Sequence, residues 1–373
     1  MKYSLRSSFA RFTLILFVVV FLLTVVGRIV TVTGAWAFCL GWPLCVPSEP
    51  LGYLKLAHLA FVGVAMLLMV WLLRKAWREQ RDQNVLLPLT TVTGVLFFGQ
   101  ALIGAVEVTR SYPVHLVVLH ALTAVALWIS LGSLVYLSGV LAVDTNVVVK
   151  FDYRQRAKDF FILSKPIIVL LLLVTTYSGL VAGSQAWPSA SLTFWTLLGG
   201  TLAAAGSSAL NQYIDRELDK NMQRTAKRPL ADGRLTAAEG LSYGLALCLT
   251  SYYVMAGFVN LLAALLSLTG IFYYVFFYSV WLKKATVQNI VIGGGAGAIP
   301  PMVGWAAATG NLGLAAWILF AIVFMWTPPH FWALAIVRMK DYEKAGVPMT
   351  DAAFAGALNT GATGPVVSTV KER

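Results

Sequence analysis

Residues 167–214 read IIVLLLLVTTYSGLVAGSQAWPSASLTFWTLLGGTLAAAGSSALNQYI, 48 positions without one Asp, Glu, Lys or Arg, and Asp215-Arg-Glu-Leu-Asp219-Lys220 follows at once. Two apolar runs, near 167–184 and 192–212, flank an uncharged connection at 185–191. Each run is about the 20 residues needed to cross a ~30 Å hydrocarbon core as a helix. Inside lipid a chain satisfies its own backbone only as a helix or a closed barrel, and runs of this length select the helix. The stretch therefore predicts an all-α, polytopic membrane protein, and it ends on an abrupt cluster of charge.

The rest of the chain repeats the pattern. Further apolar runs lie near 12–31, 56–73, 85–107, 115–137, 239–256, 259–279, 286–307 and 313–335, which makes ten expected spans. Hydrophobic residues form 58% of the 373 positions and charged residues 12%, more apolar surface than a soluble chain of this length could cover. Residues 12–27 could serve as a signal-peptide core with Ala35-Trp-Ala37 as cleavage site. A first spanning helix is preferred, because three further spans follow in register.

The net charge of +12 sits in short clusters between spans, which fits a membrane topology and argues against nucleic acid as a partner. Lys2, Arg6 and Arg11 precede the first span, Arg74, Lys75, Arg78 and Arg81 follow the second, and Lys150, Arg154, Arg156, Lys158 and Lys165 follow the fourth. The groups at 216–234, Lys283-Lys284, and Arg338, Lys340 and Lys344 keep the alternation, whereas loops 185–191, 257–258 and 308–312 carry no charge. The expectation is a prokaryotic plasma-membrane protein with both termini in the cytoplasm. The polar stretch 143–166 is the expected linker between two modules.

Asn211, Asp215 and Asp219 are four residues apart and so share a helix face where the apolar run ends. Two carboxylates and an amide are a partial oxygen set for Mg²⁺, which commonly completes its shell with substrate phosphates. Arg224, Lys227 and Arg228 follow closely enough to bind the oxygens of a diphosphate. The bland alternative is a solvated loop in which Arg216 and Lys220 pair with these acids.

Asn211-x₃-Asp215-x₃-Asp219, with Asn221-Met-x-Arg224-Thr-x₂-Arg228-Pro-Leu230, resembles the first signature of the intramembrane aromatic prenyltransferases. Three further stretches resemble the heme branch of that superfamily, the protoheme IX farnesyltransferases or heme O synthases. They are Tyr278-x₃-Leu282-Lys-Lys284-x-Thr286-x₂-Asn289 through to Gly304-Trp305, then Trp326-Thr-Pro-Pro-His330-Phe-Trp332, then Asp341-Tyr to Ala345-Gly-Val-Pro-Met349. The resemblance covers roughly 160–349.

It implies transfer of a farnesyl group from farnesyl diphosphate to a vinyl group of heme b, giving heme O on the route to heme A. Carried over by position, Asn211, Asp215 and Asp219 hold Mg²⁺-diphosphate, and Arg224, Lys227, Arg228 and Lys284 bind phosphate. Asp341 is the second acidic arm, with Glu343 its one acidic neighbour. His330 is either a packed, hydrogen-bonded side chain or a contact to heme iron or a propionate. Gly293–Gly297 is read as close helix packing, not a nucleotide loop, since no strand precedes it. The family's bundle has nine helices, and six are expected before the pattern stops at Met349. The missing helices would leave the substrate cavity open and activity in doubt, and 350–373 is read as a disordered or aberrant tail.

In the first four helices, His58 and His120 are placed about three and six residues inside the outer ends of their spans. Histidines at matched depth on neighbouring helices suit axial heme ligation, against the plainer reading of packed neutral histidines; His115 lies nearer the surface. Residues 24–137 resemble one half of heme A synthase through Arg28 to Thr33-Gly34, Cys39-x₂-Trp42-Pro-Leu-Cys45, the His58 helix, Gln100-x₂-Ile-Gly104 and His120-Ala-x₂-Ala124. That resemblance makes Cys39 and Cys45 a disulfide candidate on the outer side. The family's Glu three residues before the first His is Lys55 here, with Glu107 as a substitute acid. With one half present, oxidation of the heme methyl group would need two chains to pair.

The expected organisation is a heme A synthase-like four-helix module (1–142), a cytoplasmic linker (143–166), a prenyltransferase-like module (167–349) and the tail (350–373). Expected partners are farnesyl diphosphate, heme b, membrane lipid and Mg²⁺, with a second copy or heme A synthase and oxidase-assembly factors as protein contacts. The competing functions are prenylation of a quinone or chlorophyll precursor, and a non-catalytic heme carrier or oxidase-assembly protein.

Overall fold

The computed structural model describes residues 7–39, 45–110, 112–142, 152–285 and 288–337, with helices and no strands among them. All ten expected spans coincide with helices. Eight helices are long and apolar enough to cross a membrane, and the chain is a multi-pass membrane protein. The chain divides into two compact units: the described residues of Met1–Tyr153 with Thr236–Tyr253, and those of Arg154–Leu235 with Val254–Arg373.

The first unit contains α1 (Ser8–Thr33), α2 (Gly52–Glu79), α3 (Leu86–Thr109) and α4 (Val114–Leu141). Each packs on two of the others, closing a ring of four. Ser7 caps α1 by accepting from the Ala10 amide at 3.0 Å, and Gly34 ends it in the left-handed conformation, φ 69°. The buried polar atoms along these spans pair across helices: Thr13 with Ser138 at 2.9 Å, and Thr93 with Ser130 at 2.6 Å. Ile15, Val18, Leu67, Val125 and Ile129 instead point outward, as lipid-facing side chains do. The unit also takes in the start of α8 (Ala237–Phe258), where Thr236 and Glu239 form a capping box.

The second unit contains α5 (Tyr153–Leu163), α6 (Pro166–Ser184), α7 (Ala190–Lys220), α9 (Leu261–Leu282), α10 (Asn289–Thr309) and α11 (Leu314–Val337). The helix α5 falls within the expected linker, where sequence reading foresaw only a polar connection. Helix α7 is a poorer match to a lipid-facing span because Gly, Ser and Thr dilute its apolar residues. Helix α10 packs on α6, α9 and α11. A Cβ at Gly179 would run into the Pro301 carbonyl and one at Gly304 into that of Thr176, so these positions set how closely α6 and α10 approach. The run beginning at Gly293 works the same way: Gly293 lies under the Tyr278 ring, and Gly294 against Thr327. The last ten residues of α9, Tyr273–Leu282, widen into a π-helix.

Candidate functional site

On α7, Asn211, Asp215 and Asp219 are 5%, 4% and 1% exposed, so the three residues at four-residue spacing are withdrawn from solvent. Asn211 links them to the π-helical end of α9. Its Nδ2 donates to Asp215 Oδ2 at 2.9 Å and to Ser279 Oγ at 3.0 Å. The wider turn lets Ser279 donate to the Tyr274 carbonyl five residues back, at 2.9 Å. One turn on, Lys283 Nζ donates to Asp215 Oδ2 at 2.7 Å. From the loop after α7, a single nitrogen of Arg228 donates to both oxygens of Asp219, at 2.9 and 2.7 Å. Thr225 braces that loop by donating to the Asp219 carbonyl at 3.0 Å.

The third cation is Lys165, which donates from Nζ to Asn211 Oδ1 at 3.1 Å. Its backbone is left-handed, φ 49° and ψ 62°, immediately before Pro166 opens α6. That conformation is costly for a residue with a side chain, and such strain gathers where a side chain must be aimed. Ser208 and Gln212 of α7 hold the junction by donating to the Leu163 carbonyl at 3.0 and 2.7 Å. Burial pushes the Lys165 ammonium down to about 7, with Arg228 adding to the effect while Asp215 and Asp219 oppose it.

Arg216 and Lys220 do not pair with the two aspartates. Arg216 donates to the Tyr213 carbonyl at 2.7 Å and lies 3.7 Å from Glu217, and Lys220 donates to Glu217 at 2.8 Å. The solvated-loop reading is therefore set aside. Arg224 and Lys227 are exposed, and Arg228 meets a site carboxylate. Arg234 secures the loop through Asp232, the Lys227 carbonyl and the buried Asp159 of α5. The side chain of Lys284 lies outside the described residues, as do Asp341, Glu343 and the segment 350–373. Ser279, Lys283 and Lys165 were not singled out from sequence. His330 is exposed and stacks on Trp326 with ring centroids 4.6 Å apart.

The oxygen donors suit Mg²⁺, but among the described residues no three His, Cys, Asp or Glu side chains form a metal cage. An ion here would have to share its shell with a ligand's oxygens, the usual behaviour of Mg²⁺. The site gathers three basic side chains, Lys165, Lys283 and Arg228, around two carboxylates, and Lys165, partly neutral at pH 7, would be drawn to its charged form by an anion.

The first unit holds a different constellation. His58 and His120 each stand six residues after the first residue of α2 and α4, at more closely matched depth than expected. Each ring rests on a glycine. A Cβ at Gly27 would come within 2.8 Å of His58 Cε1, and one at Gly104 within 2.9 Å of His120 Cε1. Both Nδ1 atoms are buried without a hydrogen-bond partner, and the two imidazoles are electrostatic neighbours. Gly27 and Gly104 leave room for the two imidazoles by omitting side chains opposite them. Cys39 and Cys45 are joined in a disulfide, and the buried Lys55 donates to the Cys39 carbonyl at 2.6 Å. Lys55 thus secures the loop that carries the disulfide, while Glu107 is the acid beside His120, 3.7 Å from Oε1 to Nδ1.

The chain is similar to known proteins over most of its length. The chain is 39% identical over 356 residues to a protoheme IX farnesyltransferase of Roseiflexus sp. (strain RS-1), a match covering 89% of this chain and 66% of the relative. It is 43% identical over 297 residues to one of Chloroflexus aurantiacus (77% of this chain, 50% of the relative). It is 52% identical over 191 residues to one of Gloeobacter violaceus (51% and 63%). The chain thus spans half to two thirds of the length of these curated relatives. No solved structure matches it. The UbiA prenyltransferase family model matches residues 172–367, more than half of the chain and inclusive of Asn211, Asp215, Asp219, Arg228 and Lys283. The chain belongs to the UbiA prenyltransferase family.

Proposed function

We propose that the second unit transfers a farnesyl group from farnesyl diphosphate to a vinyl group of heme b, producing heme O. The observation that carries this reading is the buried run Asn211–Asp215–Asp219 matched by Lys165, Lys283 and Arg228. The curated relatives named protoheme IX farnesyltransferase support heme as acceptor over a quinone or chlorophyll precursor. When bound, Mg²⁺ would be held by Asn211, Asp215 and Asp219 and would neutralise charge on the diphosphate oxygens.

The chain's own contribution is electrostatic. As the allylic C–O bond breaks, the electron pair stays with the diphosphate, and Lys165, Lys283 and Arg228 are within reach to exchange their present acceptors for its oxygens. The vinyl π electrons then form the new C–C bond to the farnesyl carbon. Water adds its oxygen to the cation left on the former vinyl group and releases a proton, giving the hydroxyethylfarnesyl product. Enclosing the carboxylates limits early capture of the allylic cation by water.

The basic clusters flanking alternate connections support a prokaryotic plasma membrane, both termini cytoplasmic and Asp215 and Asp219 at the cytoplasmic face. For the first unit, His58 and His120, electrostatic neighbours each packed against a glycine, support heme binding. The Roseiflexus match, covering 89% of this chain, extends well beyond the prenyltransferase part, so the two parts occur together in that relative as well. Membranes carrying the full chain, given heme b and farnesyl diphosphate, are expected to yield a later-eluting heme on extraction. Asp215→Asn is expected to lower its yield by about 10²–10³-fold or more. A prenylated quinone with unchanged heme would overturn the choice of acceptor, and no prenylated product at all would favour a heme carrier.

A further inference from the structure

Helix α3 presents Gln100, Gly104 and Glu107 at four- and three-residue steps, one face of a helix. His120 fills the space over that face: a Cβ on Gly104 would lie 2.9 Å from its Cε1 and 3.4 Å from its Nδ1. Glu107 is 8% exposed, and its Oε1 lies 3.7 Å from His120 Nδ1. That separation permits charge attraction but is too long for a hydrogen bond. Glu107 Oε1, His120 Nδ1 and Gln100 Oε1 are all buried without a hydrogen-bond partner. A buried carboxylate oxygen and an imidazole nitrogen left unpaired side by side each carry a desolvation cost that the fold itself does not recover.

The neighbouring charged groups offer no alternative partner. Lys55 is committed to the Cys39 carbonyl, and Arg110 and His115 are exposed. What completes the pair is a ligand on the other ring nitrogen. A metal-bound histidine donates its second N–H to a carboxylate, which fixes its tautomer and orientation and makes it a stronger donor.

We infer that Glu107 is the positioning residue for His120 as a heme-iron ligand, accepting the Nδ1–H hydrogen bond while Nε2 faces the iron. This rests on the reading that the first unit binds heme. Closing the gap needs a shift of about 1 Å, within reach of a glutamate side-chain rotation. The two ligands are then unequal. His58 packs on Gly27 and has the neutral Leu23 backbone beside it, whereas His120 has the Glu107 carboxyl group. A carboxylate behind one axial ligand favours ferric over ferrous iron and lowers the reduction potential.

The test uses the full chain purified from membranes with its heme, measured by heme content, visible and electron paramagnetic resonance spectra, and redox titration. Glu107→Gln is expected to keep its heme but to raise the midpoint potential, by about 59 mV for each tenfold loss of ferric preference. Glu107→Asp, which keeps the charge on a shorter arm, is expected to fall between the two and serves if the Gln variant fails to accumulate. Glu49→Gln removes an exposed loop carboxylate and is expected to leave the potential in place. A Glu107→Gln protein with unchanged heme content, potential and ferric spectrum overturns the inference. If wild type and His120→Ala carry the same heme, the heme reading of the first unit fails first and the inference falls with it, an outcome visible without any Glu107 variant.

Discussion

The two polar clusters are both buried on apolar helices, and they reach opposite states. In the second unit Asn211, Asp215 and Asp219 are each engaged by Lys165, Lys283 or Arg228. In the first unit His58 Nδ1, His120 Nδ1, Gln100 Oε1 and Glu107 Oε1 are buried with no hydrogen bond. One cluster closes upon itself and must exchange internal cations for an anionic ligand; the other is left incomplete by its own chain. Burying charge is tolerable when it is paired, so the closed cluster contributes to the fold, whereas the open one has polar groups in reserve for a ligand.

The sharpest way to break this contrast is to remove Asp215. Asp215→Ala strands the Lys283 ammonium and one Asn211 amide hydrogen in a buried site, a loss of about 3–5 kcal/mol. Thermal unfolding in detergent is expected to show it. Asp215→Asn keeps the shape and is expected to lower farnesyl transfer by about 10²–10³-fold or more, read by heme extraction. Equal stability of Asp215→Ala and wild type would show that the cluster is not closed in the sense described.

Next in size are the glycines beneath the imidazoles. Gly104→Ala and Gly27→Ala each drive a methyl against a histidine ring, and overpacking of this kind costs about 1–3 kcal/mol. Heme content of the first unit is expected to fall about 5–150-fold by that conversion, with farnesyl transfer by the second unit less affected. Retention of heme by both variants would mean that the rings do not carry it.

The fold was legible because period and length decide it: apolar runs of about 20 residues between basic clusters have one solution in lipid. Asp215 and Asp219 were legible from spacing, since i and i+4 place them together whatever else the chain does. Their partners were not. Lys165 arrives from 46 residues before Asn211 by way of a left-handed backbone that no local pattern announces. On α9, motif resemblance chose Lys284, whose side chain lies outside the described residues, and gave no sign of Lys283, which the π-helical end of the helix carries to Asp215. The Gly27–His58 and Gly104–His120 contacts were hidden for a related reason: a glycine on an apolar helix carries no sign of which side chain occupies its vacancy.

The choice between adjacent lysines gives a smaller test. Lys283→Met is expected to raise KM for farnesyl diphosphate about tenfold or more, the scale of one lost charge-assisted contact of 1.5–3 kcal/mol. If Lys284→Met has the larger effect, the register of the wide turn is wrong as drawn.

The smallest effect is expected at Ser279, and it separates two accounts of how the closed cluster is held. Ser279 Oγ accepts from Asn211 at 3.0 Å while donating to the Tyr274 carbonyl at 2.9 Å. Ser279→Ala removes both bonds but no charge, so the loss is about 1 kcal/mol, with KM for the diphosphate rising about 5-fold. If the wide turn of α9 depended on that hydroxyl, Lys283 would leave Asp215 as well, and Ser279→Ala would reproduce Lys283→Met. A much smaller effect of Ser279→Ala means that the π-helix is set by packing along Tyr273–Leu282, with the rings of Tyr273 and Tyr278 over Gly295 and Gly293. The serine would then orient the Asn211 amide without holding the helix open.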